Sequence, residues 1–125
     1  MATLDDLARK YNLDIIVIFG SQARGEGRQG SDMDIALYGR QTLSEIEKIK
    51  LIYEFCEIFH MDDIDLVDLR SASPLLKKEV LGRYKILFMK DPMLLYQLEM
   101  TNLHELKELE VLDKIRRERL EEFVA

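Results

Sequence analysis

Two aspartates one residue apart, Asp32 and Asp34, stand a short distance after an apolar run that ends in Gly20-Ser21. Ionised carboxylates beside a core are costly unless a cation or a proton pairs with them. Strand alternation through "DMDIAL" places Asp32, Asp34 and small Ala36 on one face, with Met33, Ile35 and Leu37 facing a core on the other. Hard divalent cations take oxygen ligands, and Mg²⁺ in particular takes one or two carboxylates together with phosphate oxygens. Gly20 lets a backbone approach closely, and Ser21 with the following "QAR" would open a short helix presenting amides and a hydroxyl to phosphate. Each feature alone has a plainer reading, as a solvated strand edge, a turn or a helix cap. Together they suit a metal-bound nucleoside triphosphate.

The elements around these residues must bring them to one place. Thr3 caps a short helix over "LDDLARKY", with Leu4, Leu7, Ala8 and Tyr11 on one stripe. "LDIIVIFG" reads as a buried strand ending at Gly20, and "DMDIALYG" as a second strand beyond a loop marked by Gly25, Gly27 and Gly30. Thr42 with Glu45 forms a capping box for a helix through "LSEIEKIKLIYEFCEIF", whose buried face is expected at Leu43, Ile46, Ile49, Ile52, Tyr53 and Cys56. "DIDLVDL" is a third strand, Ser73-Pro74 opens a helix, and "YKILFMK" is a fourth strand. Asp91-Pro92 starts a long final helix over about residues 92–122. For Gly20 and the aspartates to meet, strands one and two must be antiparallel. The helical crossover then makes strand three parallel to strand two, which brings Asp65 to the same end of the sheet. The expectation is an α/β fold of the α+β type, with a mixed sheet of about four strands and flanking helices.

At 125 residues the length suits a single domain, with its core over 4–90. No run of about 18 apolar residues suggests a membrane span, and the start lacks a signal-peptide pattern. The one cysteine, Cys56, allows no intrachain disulfide, which fits a cytoplasmic protein. A net charge of −6 argues against broad nucleic-acid binding, though not against a small phosphorylated ligand.

The arrangement Gly20-Ser21, ten residues, then Asp32-x-Asp34 resembles the minimal nucleotidyltransferases of the DNA polymerase β-like superfamily. "GSQARGEGRQGSDMD" also carries the Ala-Arg-Gly common in prokaryotic members. The resemblance spans roughly residues 4–90. It implies transfer of a nucleoside monophosphate from an NTP such as ATP to an acceptor hydroxyl. Asp32 and Asp34 would hold Mg²⁺, and Asp65 would complete the metal site or activate the acceptor. Members of this size resemble antitoxins paired with HEPN-domain toxins, implicated in adenylylating a toxin tyrosine. Asp63 shares a strand face with Asp65, and Asp68 lies nearby, so the third carboxylate has three candidates.

Other residues carry paired readings. Arg24 either braces the triphosphate or joins a surface salt bridge. Arg83 and Lys85 read better as solvated charges than as nucleotide or acceptor contacts. His60 suits a helix end, His104 has no metal partner at helical spacing, and Cys56 belongs to a core stripe. The last helix either packs on its own sheet or offers outer apolar positions (Leu103, Leu106, Val111, Leu112, Ile115) to a partner protein. Two rivals remain: a transferase for a small hydroxyl compound such as an aminoglycoside, and a non-catalytic toxin binder. After the fourth strand, one helix leaves little room for the acceptor domain the first rival needs. The complete carboxylate set counts against the second.

Overall fold

The computed structural model describes residues 2–20 and 33–124. Helix α1 (Leu4–Lys10) starts at Thr3 with a reciprocal cap. The Thr3 hydroxyl accepts from the Asp6 amide at 3.2 Å, while the Asp6 carboxylate accepts from the Thr3 amide at 3.0 Å. Four strands follow in a mixed sheet: β1 (Leu13–Phe19), β2 (Met33–Gly39), β3 (Ile64–Asp68) and β4 (Tyr84–Met89), in the order β3-β2-β1-β4. β1 runs antiparallel to β2, and β2 parallel to β3, as the sequence requires, and β4 lies antiparallel to β1 on its other edge. Helix α2 (Glu45–Phe59) makes the parallel crossover, and α3 (Pro74–Gly82) and α4 (Pro92–Val124) complete the elements among the described residues.

Both faces of the sheet are buried. Leu7 and Ala8 of α1 and Leu51 and Phe55 of α2 pack on Ile16, Ile18, Met33, Ile35 and Leu37. Val80 of α3 and Leu95 of α4 pack on Ile15, Val17, Phe19 and Ala36. Ala36 therefore belongs to a second core, and the near-continuous apolar run of β1 reflects cover on both sides. In β4 the register slips between Ile16 and Val17, leaving Leu87 as an extra residue. This bulge turns both Leu87 and Phe88 toward the α1–α2 layer while Tyr84 faces the α3–α4 layer.

Helix α2 departs from the sequence reading twice. Its cap is Ser44, whose hydroxyl accepts from the Glu47 amide at 3.2 Å, and not Thr42. The cause is tertiary: the Leu43 amide donates to the buried Asp68 carboxylate at 2.9 Å, and the helix begins at Glu45, after this tether. The buried face is also rotated. Leu51 and Phe55 enter the core with Ile52, Cys56, Ile58 and Phe59 beside them, while Ile46, Ile49 and Tyr53 are exposed. Ser73 caps α3 as expected, with Pro74 at its start. Helix α4 packs on the sheet along its first half, as the plainer reading has it, and leaves the sheet beyond Leu106. Leu95 and Asn102 are buried and Leu106 half-buried, and every described residue from Lys107 onward is exposed.

Candidate active site

One row of residues crosses the sheet at the end where β1 stops. Asp65 pairs in register with Asp34, Asp34 with Phe19, and Phe19 with Tyr84. In-register neighbours share a face, and Phe19 and Tyr84 belong to the α3–α4 core, so Asp34 and Asp65 look out on that side. Neighbouring strands lie about 4.8 Å apart, a separation at which two carboxylates can share one cation. Asp34 is half-buried and Asp65 exposed, so the pair grades from the packed sheet into solvent.

Gly20 closes β1 in the left-handed region at φ 75°. A Cβ placed there would stand 2.5 Å from Asp34 Oδ2 and 3.4 Å from its Cγ. A side chain there would push the Asp34 carboxylate aside, and glycine lets the end of β1 lie against it. The sequence-predicted residues Ser21, Arg24 and Asp32 lie outside the described residues. Gly20, Asp34 and Asp65 are brought together.

Residues 3–93 match the family model for polymerase beta nucleotidyltransferases. The chain belongs to this nucleotidyltransferase family. Over 76 residues it is 38% identical to the protein adenylyltransferase MntA of Shewanella oneidensis, a match covering 61% of this chain and 54% of that relative, about half its length. A chain from a crystal structure of a toxin–antitoxin with AMP-PNP superposes with a TM-score of 0.71 at 28% identity, covering 98% of this chain and 96% of that one. A chain from the complex of tri-AMPylated Shewanella oneidensis HEPN toxin with MNT antitoxin superposes with a TM-score of 0.64 at 27% identity, covering 98% and 93%.

Among this chain's three candidates for a third carboxylate, geometry separates the positions. Asp68 pairs with Leu37 at the far end of β3, on the opposite face from Asp65. It is buried and accepts from the Leu43 amide at 2.9 Å and the Arg70 amide at 3.0 Å, which is structural work. Asp63 precedes β3, and its carbonyl accepts from the Met33 amide at 3.2 Å. Asp65 is the acidic residue in register with Asp34.

Tyr84 was not singled out from the sequence, although it opens β4 with the alternation that places it on the Asp34 face. Its hydroxyl donates to Glu99 Oε1 of α4 at 2.8 Å. Burial, then the hydrogen bond and charge of Glu99, push its pKa up to about 12, so the phenol stays neutral. The adjacent Arg83 is the exposed C-cap of α3. Lys85 is exposed and pairs with Ile18, on the other face of the sheet from the carboxylates. His60 ends α2 in the left-handed conformation, and His104 is exposed on α4. Burial, then the charges of Asp62 and Asp63, raise the Cys56 thiol, which keeps it protonated and unreactive.

Among the described residues no group of three metal-ligating side chains occurs. Asp34 and Asp65 nonetheless supply two hard oxygen donors in register, beside a backbone that a Cβ would block. That donor set fits Mg²⁺, which needs few protein ligands when phosphate supplies the rest. Among the described residues no helix is long and apolar enough to cross a membrane.

Proposed function

We propose that this chain is a cytoplasmic antitoxin adenylyltransferase that transfers AMP from ATP to a hydroxyl of a HEPN-domain toxin, a tyrosine by its resemblance, in one domain spanning 1–125. The observation that carries the reading is the in-register Asp34–Asp65 pair against a Gly20 where a side chain would press on the Asp34 carboxylate, in a chain of this family. The 38% identity to a protein adenylyltransferase, and likeness to structures of a toxin–antitoxin with AMP-PNP and of a tri-AMPylated HEPN toxin with its antitoxin, support the substrate and partner.

Asp32 and Asp34, with Asp65 alongside, would hold Mg²⁺. The ion would supply charge neutralisation on the triphosphate oxygens. Gly20 leaves space for the phosphates to approach the strand end, Ser21 contributes a hydroxyl and amide donors, and Arg24 braces the triphosphate. Asp65, the more exposed carboxylate, would meet the acceptor and take the hydroxyl proton. The acceptor oxygen bonds to the α-phosphorus, the bond from that phosphorus to the bridging oxygen breaks, and pyrophosphate leaves.

The test is to incubate the chain with labelled ATP, Mg²⁺ and the HEPN-domain protein encoded beside it, then map the label by mass spectrometry. AMP on a neighbour hydroxyl, absent when Asp32→Asn and Asp34→Asn are combined, is the expected result. Label on an aminoglycoside and none on protein would move the assignment to small-molecule transfer. A double variant that modifies the protein at the wild-type rate would remove the catalytic assignment.

A further inference from the structure

The face of α4 that packs on the sheet does not stop where the sheet stops. Leu95, Leu98, Asn102 and Leu106 follow one another at three- and four-residue steps and are buried or half-buried. The same phase continues through Leu109, Leu112, Arg116, Leu120 and Phe123, all exposed. Leu112 is 59%, Leu120 57% and Phe123 91% exposed. From Lys107 to Val124 the helix projects for about 27 Å with this stripe uncovered, and a helix of that length alone in water is marginal.

We infer that the projecting half of α4 docks an amphipathic helix of the HEPN-domain toxin, one whose apolar stripe is edged by carboxylates. This rests on the toxin-modifying function proposed above. The charge pattern selects the occupant. Arg116 and Arg119 stand among Leu112, Ile115, Leu120 and Phe123 on this exposed surface of the helix, and neither forms an ion pair among the described residues. Asp113 is already engaged by Arg117 at 2.8 Å on the flank. A second copy of this helix, laid parallel, would set Arg116 and Arg119 against themselves; laid antiparallel about this stretch, it would set them against each other. Either pairing buries like charges. An acid-edged partner helix covers the leucines and neutralises both arginines. The superpositions on toxin–antitoxin structures cover 98% of this chain and so take in most of this segment.

Titration calorimetry with the full chain and the HEPN-domain protein encoded beside it tests the surface. Leu112→Glu with Leu120→Glu, and separately Arg116→Glu with Arg119→Glu, should each weaken binding by about tenfold or more. Helical circular dichroism and Mg²⁺-ATP binding should not change, because these side chains touch nothing in the fold. Wild-type affinity should fall with added salt, and affinity of the charge-reversed variant should fall less. Unchanged affinity in both variants overturns the assignment. So does a dimer of the chain alone, by sedimentation, that the leucine variant dissociates, since a second copy would then cover the stripe. The same mixtures are read for AMP by mass: a wild-type complex without AMP removes the proposed activity and leaves the docking surface standing. No wild-type complex at all overturns both.

Discussion

Gly20 combines a backbone constraint and a chemical one. Its φ of 75° strains any side chain, and the nearest atom to a new Cβ is the Asp34 oxygen at 2.5 Å. Gly20→Ala should therefore displace the carboxylate and lower AMP transfer at least about 100-fold, since misplacement of about 1 Å costs that much. Circular dichroism should still report a folded protein. Tyr84 makes a different prediction. Its phenol, ordinarily near 10, titrates at about 12 because burial and Glu99 disfavour the phenolate. The folded state thus keeps a proton that the unfolded chain releases. This contribution to stability is full below pH 10 and is lost as pH rises toward 12. Tyr84→Phe should flatten the decline of urea midpoint across that window. An equal slope in the variant would mean that Tyr84 is not the group responsible.

At the scale of elements, what was legible in the sequence was whatever local chemistry decides. A β-branched run specified β1, and short apolar or alternating stretches specified the other three strands. Thr3 and Ser73-Pro74 specified two helix starts. The need for Gly20 to meet Asp34 specified the direction of β2 against β1, and the helical crossover that of β3 against β2, while nothing local specified that of β4. Helix α2 was less legible because its sequence offers two overlapping caps, Thr42 with Glu45 and Ser44 with Glu47, and apolar residues on most of its circumference. The choice between them was made 25 residues away, by the Asp68 carboxylate that holds the Leu43 amide. The same contact gives Asp68 a structural place, where its nearness to Asp65 had kept it among the candidates for the third carboxylate. Asp68→Ala would strand the buried Leu43 amide and leave the part-buried Arg70 amide without its acceptor, and should cost about 2–3 kcal/mol by urea denaturation. Protein that remains folded should transfer AMP at close to the wild-type rate. A stable Asp68→Ala protein with no transfer would reverse the roles assigned to Asp68 and Asp65.

For the whole molecule, the decisive boundary lies inside α4 rather than between elements. Sequence periodicity could not place it, because the apolar phase runs unbroken past the edge of the sheet. Up to Leu106 the helix belongs to the core: Leu95 packs with Val80 and Phe19, Asn102 donates to the Pro74 carbonyl at 3.0 Å, and Lys77 of α3 meets Glu105 at 2.7 Å. Beyond Lys107 no described side chain is buried. Two truncations should accordingly behave in opposite ways. Ending the chain after Lys90 strips cover from the α3–α4 face of the sheet and should abolish cooperative unfolding. Ending it after Lys107 removes exposed helix only, and should shift Tm by no more than about 3 °C, the scale of under 1 kcal/mol in a domain of this size. That shorter protein should also keep Mg²⁺-dependent ATP binding, because Gly20, Asp34 and Asp65 lie in the retained sheet. Melting scans of the two truncations, with far-ultraviolet circular dichroism, decide the matter. A large loss of Tm in the Lys107 truncation would mean that the projecting segment folds back and stabilises the sheet, and the apolar stripe would then be covered by this chain itself.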